Sequence, residues 1–273
     1  MPNVESGKYW DAAWNPITGC TDEYGCWARC WARAMSKHFP KLTGGDFKPR
    51  YHLKRLKTLP GGKGKVVAVC WLGDLFAEGV KREWQETVWQ KMEERPEHTF
   101  LVLTKRVEEM CEFVPGREPR EHIWLGASAT CQADVDDTWK ELLYLGDQLP
   151  CWLSLEPLLG PIKLRELFRC PNHIPNPTKQ QQAAGIINCE RPENSSGKCQ
   201  RGFCPFGHLP IRWVVVGGET GPGARVCDPG WIRRIRDECK EHGVPLWVKQ
   251  INRKCSLAEL PEDLRIRDVP AGV

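Results

Sequence analysis

Continuous apolar runs recur along the chain at Val66–Trp71, Thr99–Leu103, Ile123–Ala127, Cys151–Leu155, Trp213–Gly217 and Pro245–Lys249. Apolar residues at consecutive positions, rather than at alternate ones, predict strands buried on both faces. A weaker candidate, Tyr9–Trp14, comes first. Amphipathic periodicity predicts helices between them, at Glu83–Glu94, Val135–Leu145 and Trp231–His242. The last two are followed closely by Gly146 and Gly243, residues that stop helices. Strands alternating with helices predict an α/β fold with a parallel sheet and right-handed crossovers. Their even spacing predicts one domain over 1–273, a partial barrel of six or seven βα units. In such folds the site lies at the carboxyl ends of the strands. The residues there are Gly73-Asp74, Thr104-Lys105-Arg106, Ser128, Glu156, Gly218-Glu219 and Lys249-Gln250, a succession of polar endings.

One region breaks the pattern. Residues 166–211 show neither period and carry polar, turn-rich stretches such as Gln180-Gln181-Gln182 and Asn194-Ser195-Ser196-Gly197. A loop of that length needs its own support. It reads as an insertion within the domain.

Composition narrows the class. The 273 residues, 41% hydrophobic and 27% charged, are those of an ordinary soluble globular protein. No run approaches the roughly 18 apolar residues of a membrane span. The opening Met-Pro-Asn-Val-Glu lacks the features of a signal peptide, so a cytoplasmic location is expected. The net charge of +4 permits a nucleic-acid partner without arguing for one.

Fourteen cysteines change the picture. Disulfides rarely persist in the cytoplasm, so grouped cysteines there read as metal ligands or redox groups. Cys20, Cys26 and Cys30 form a C-x5-C-x3-C loop after the first strand candidate. Three thiolates on a four-iron cubane leave one iron open to bind another molecule, whereas four close it. Zinc would want a fourth ligand, for which Asp22, Glu23 and His38 are near. The second group is Cys170, Cys189, Cys199 and Cys204, with His173 as an alternative ligand and His208 nearby. It reads as zinc stapling the insertion, or as a second cluster. The remaining cysteines read as small buried hydrophobes.

Trp14–Cys20 with Cys26 and Cys30, then Gly73–Phe76, Leu103–Arg106, Trp124–Ser128, Leu153–Pro161, Val216–Arg225 and Val248–Gln250, resemble a phage and bacterial three-cysteine family. That family is regarded as related to the radical S-adenosylmethionine (SAM) enzymes. The resemblance covers most of the chain, in order, and implies a partial barrel of radical-SAM type. It also implies a [4Fe–4S] cluster whose open iron chelates SAM, an external electron donor, and a 5′-deoxyadenosyl radical that abstracts hydrogen from the substrate. Here the cysteine spacing differs from the commonest C-x3-C-x2-C of that superfamily, and Arg29 rather than an aromatic residue precedes Cys30. By position, Asp74 is assigned to the SAM amine, Ser128 and Glu156 to ribose hydroxyls, Glu219 to substrate or cofactor, and Lys249 to the cofactor. Family analogy extends to a substrate: a modified thymidine in phage DNA, undergoing hypermodification or isomerisation in the host cytoplasm. A peptide, tRNA or small metabolite is the alternative substrate. A metal-containing nucleic-acid-binding protein without catalysis is the alternative class. The basic stretch from Lys48 through Arg50, His52, Lys54, Arg55 and Lys57 to Lys63 and Lys65 fits phosphate binding or a solvated loop.

Overall fold

The computed structural model describes residues 7–22, 25–62, 64–118, 120–146, 149–164, 167–168, 211–252 and 256–273. The insertion with Cys170, His173, Cys189, Cys199, Cys204 and His208 lies outside the described residues. The strands are β1 (Ala12–Trp14), β2 (Ile17–Thr18), β3 (Arg50–Tyr51), β4 (Val66–Val69), β5 (Thr99–Thr104), β6 (Ile123–Ala129), β7 (Cys151–Leu155), β8 (Ile211–Gly217) and β9 (Leu246–Gln250). The helices are α1 (Trp31–His38), α2 (Pro40–Thr43), α3 (Leu53–Leu56), α4 (Arg82–Glu93), α5 (Val107–Phe113), α6 (Gln132–Gly146) and α7 (Pro229–His242).

Seven strands form one sheet in the order β1-β4-β5-β6-β7-β8-β9, and every neighbouring pair is parallel. Spatial order follows chain order, as each βα unit adds the next strand beside the last. The sheet is a half-barrel, with β1 and β9 as its edges. All seven expected strands are present, so the partial barrel expected from the apolar runs is the architecture at this level. The side of the sheet that packs on helices carries Val67, Val69, Phe100, Val102, Leu125, Leu153, Val214 and Val248, which share one core with helical residues such as Val88, Trp89, Met110, Ile232 and Ile235.

The other side carries the alternate residues, and here the sheet curls around aromatic rings. Trp124, Trp152, Trp213 and Trp247 form a second core with Tyr9, Val66, Leu101 and Val215. The Tyr9 ring lies 4.8–6.2 Å from the rings of Trp10, Trp71, Trp152, Trp213 and Trp247. Trp213 sits 6.0–6.4 Å from Trp152, Trp124 and Trp247. Edge-to-face pairs of this kind contribute about 0.5–1.5 kcal/mol each beyond burial. Gly126 on β6 makes room: a Cβ there would stand 2.4 Å from the Trp152 ring.

An excursion leaves the sheet between β1 and β4. Its two ends are clamped by β2 and β3, which pair antiparallel, Ile17 with Tyr51 and Thr18 with Arg50. His52 Nε2 and Thr18 Oγ1 add a side-chain hydrogen bond of 2.8 Å. The clamped excursion holds the cysteine loop, α1 and α2. Among the described residues no helix is long and apolar enough to cross a membrane.

The packing makes a direct prediction. Gly126→Ala drives a methyl group into the Trp152 indole and is expected to destabilise the fold by about 1–3 kcal/mol. Urea unfolding followed by tryptophan fluorescence reads this as a lower midpoint. An unchanged midpoint would mean that the inner face is not packed as described.

Candidate functional site

The carboxyl ends of the strands bring together three polar groups around the open mouth of the half-barrel. The first joins the cysteine loop to β4 and β5. Gly19 and Gly73 form a parallel bridge, which sets Cys20 beside Asp74. Both glycines are required by close approach. A Cβ at Gly19, whose φ is +87°, would meet the Lys48 carbonyl oxygen at 2.1 Å, and one at Gly73 would meet the Gly19 oxygen at 2.5 Å.

Asp74 is buried, and its oxygens are occupied. Thr104 Oγ1 donates to both at 2.8 and 2.9 Å, the Phe76 amide donates at 2.9 Å, and Arg106 Nη1 donates at 3.3 Å. Arg106 is 1% exposed. It also donates to Cys20 Sγ at 3.4 Å and to the Thr21 carbonyl and hydroxyl at 3.1 and 2.7 Å. Arg106 thus links a carboxylate to the sulfur of the first cysteine. Removing one member of such a buried pair typically costs about 3–5 kcal/mol. Burial pushes the Cys20 thiol up to about 11, with Asp74 adding to the rise and Arg106 opposing it.

Cys26 lies in a short 3-10 turn (Cys26–Ala28), and Cys30 is the residue capping α1. All three thiols are half-buried. Burial raises the Cys26 thiol, Lys105 opposes that rise, and the neighbouring Cys30 and Asp22 reinforce it. Cys26 and Cys30 therefore lie within electrostatic reach of one another. Among the described residues, no three His, Cys, Asp or Glu side chains are grouped tightly enough to hold a metal ion.

The second group stands above the aromatic core at the ends of β7 and β9. Glu156 Oε1 faces Lys249 Nζ at 3.0 Å and accepts from Gln250 Nε2 at 3.3 Å. Glu156 Oε2 accepts from Ser154 Oγ at 3.3 Å and Tyr9 Oη at 3.5 Å. Lys249 Nζ also lies 5.9 and 5.7 Å from the centres of the Tyr9 and Trp10 rings. Burial, and then the Glu156 charge, raise the Tyr9 phenol well above its usual range, so it stays a donor. Ser128 lies beside Ser154 in the β6–β7 register, half-buried, and among the described residues its hydroxyl has no hydrogen-bond partner.

The third group is the glycine-rich loop after β8. Glu219 accepts from the Arg225 amide at 2.8 Å and from its guanidinium at 2.9 and 2.8 Å. Arg29, in the cysteine loop, reaches across to Glu219 at 3.4 Å and to the Gly223 carbonyl at 2.9 Å. Glu219 therefore ties two loops together.

Of the positions expected from sequence, Cys20 and Asp74 are neighbours, Glu156 and Lys249 are ion-paired, Ser128 lines the same mouth, and Glu219 braces its rim. The partners of Arg106, Tyr9, Gln250, Arg29 and Arg225 emerge only with the fold. Arg106 and Gln250 were in view as polar strand endings. Nothing in the sequence told that Arg106 would be buried against Asp74 and Cys20.

Hydrogen bonds from Arg225 hold the Glu219 carboxyl down at about 2, from its ordinary 4.5. A carboxyl with a depressed folded value stabilises the fold above its unfolded value and loses that contribution as it protonates. The stability advantage of the native chain over Glu219→Gln is therefore expected to be full above about pH 4.5 and to vanish toward pH 2. Urea midpoints of both proteins across that range measure it. A difference independent of pH would contradict the Arg225 contact.

The likeness to a radical-SAM-related family, drawn from the motifs, is corrected by comparison with known proteins. No curated protein and no solved structure matches the chain, and the family model that matches gives no support for a radical-SAM relationship. That model matches residues 5–260 and is described as a protein of unknown function, so the chain belongs to the family DUF5131.

Proposed function

We propose that this protein is an enzyme that carries a [4Fe–4S] cluster on Cys20, Cys26 and Cys30 and uses SAM to start radical chemistry at the mouth of the half-barrel. The proposal concerns chemistry and implies no kinship. The observation that carries it is the placement of three half-buried thiols in one loop at the carboxyl ends of the strands, with Arg106 hydrogen-bonded to the first sulfur.

The donor set fits the cluster in kind. Thiolates are its usual ligands, and three of them leave one iron open. The nearby cations Arg106 and Lys105 offset thiolate charge in a partly dry setting. Binding would draw the three sulfurs together, which couples assembly of the site to folding. A cluster held by Cys20, Cys26 and Cys30 would supply the electron that makes SAM a source of a 5′-deoxyadenosyl radical.

The chain's own residues then have distinct tasks. Asp74 acts through Arg106, holding the guanidinium against Cys20 while its own oxygens are saturated. Glu156 and Lys249 present opposite charges side by side, a match for the ammonium and carboxylate of an amino acid. Ser128 offers a hydroxyl to the ribose. The aromatic floor beneath them excludes water from the interior, which protects a reactive species from quenching.

Anaerobic reconstitution with iron and sulfide tests the reading. About four irons per chain at this site, a spectrum altered by SAM, and formation of 5′-deoxyadenosine on reduction are expected. Cys20→Ala, Cys26→Ala and Cys30→Ala should each abolish the iron signal while far-ultraviolet circular dichroism stays native. A colourless protein holding zinc at these cysteines would overturn it.

A further inference from the structure

The clamped excursion presents an unusual face. On α1 the small residues Ala32 and Ser36 are buried against the protein, and the large apolar ones point outward. Trp31 is 55% exposed, Met35 lies one turn on, and Phe39, 54% exposed, follows the helix end. Leu42 on α2 and Leu53 on α3 continue the exposed set, and the Arg55 guanidinium on α3 binds the Leu42 carbonyl at 2.6 Å, so these helices adjoin. Five of the six exposed large hydrophobic residues among the described ones fall between Trp31 and Leu53. Scattered exposed apolar residues need no explanation, but a cluster marks an interaction surface.

The same segment is strongly cationic. Residues 29–57 contain nine Lys and Arg and one acidic residue, Asp46, which Arg50 already pairs. The whole chain carries only +4, so the remainder is net acidic. Among the described residues Lys37, Lys41, Lys48, Lys54 and Lys57 have no carboxylate within salt-bridge distance.

We infer that the face formed by α1, α2 and α3 docks single-stranded nucleic acid. Exposed aromatic rings set among unpaired cations answer a strand whose bases offer flat π-faces and whose phosphates carry the opposite charge. A duplex hides its base faces, so it satisfies only the cations. A membrane surface would want one unbroken apolar stripe along a helix with the cations to one side, whereas here the exposed apolar residues are divided among three short helices. The face begins at Trp31, directly after Cys30, so a bound strand lies at the rim of the mouth. The inference stands without the metal.

Fluorescence anisotropy with a fluorescein-labelled, mixed-sequence single-stranded 20-mer tests it on the full chain. Binding is expected, weakening about tenfold or more between 50 and 200 mM salt. Trp31→Ala with Phe39→Ala should weaken it at least tenfold. Lys37→Glu with Lys41→Glu should weaken it further and flatten the salt dependence. Lys91→Glu, which changes a cation already paired with Glu94 at the end of α4, should change neither. Circular dichroism checks that each variant folds, and an unchanged iron content after reconstitution separates lost docking from a lost cluster. No binding at 50 mM salt, or wild-type binding by both double variants, would overturn the inference. So would tighter binding to an anionic vesicle or to the corresponding duplex.

Discussion

Four tryptophans and one tyrosine, packed ring against ring inside the curled sheet, set the depth at which polar chemistry can begin. Trp152, Trp213 and Trp247 are wholly buried, one from each of three successive strands. Together with Trp124 they fill the interior between the strands with aromatic surface. Inward positions nearer the carboxyl ends hold Ser154, Glu156 and Lys249 instead, and the change occurs within two residues on β7 and β9. Tyr9 spans that boundary. Its ring belongs to the aromatic layer, and its hydroxyl reaches Glu156. The floor and the mouth are therefore one structure, and a change in the floor is felt by the charges above it.

The strands were legible because they are buried on both faces. A run such as Val66–Val69 has no polar position to confuse the period, and each of the six continuous runs, with the weaker Tyr9–Trp14 candidate, contains a strand of the sheet. The aromatic floor was written in the same runs, at alternate positions, but a continuous apolar run conceals which face each residue takes. Trp124, Gly126 and Ser128 on β6 show the alternation once the inward face is known, with the glycine paired to the bulk of Trp152. The excursion was illegible for the opposite reason. Its helices are short, and α1 points its large apolar residues outward, which inverts the rule that such residues mark the buried face. Strands β2 and β3, at two residues each, are too short to carry a period.

Site residues were legible by position and less so by role. The polar strand endings lie together at the carboxyl end of the sheet, and several of them, Asp74, Thr104, Arg106 and Gln250, are buried there. Whether an ending serves a ligand or the protein depends on partners far away in sequence. Asp74 shows this: Thr104 and Arg106, some thirty residues on, occupy its oxygens. Glu156 is shared among Tyr9, Ser154, Lys249 and Gln250, three of which lie in other elements. No spacing rule reports such convergence.

The contact between Arg29 and Glu219 joins these threads. Residues 29 and 219 lie on opposite sides of the chain order, one in the cysteine loop and one in the loop after β8. The Arg29 side chain is half exposed while Glu219 is nearly covered, so Arg29 is the partner free to leave. Glu219 keeps Arg225 when it does, and the loop after β8 retains its own brace. In the cysteine loop, Cys20 is fixed by the Phe47 carbonyl and Arg106, and the Arg29 guanidinium joins the later part of the loop to the segment after β8.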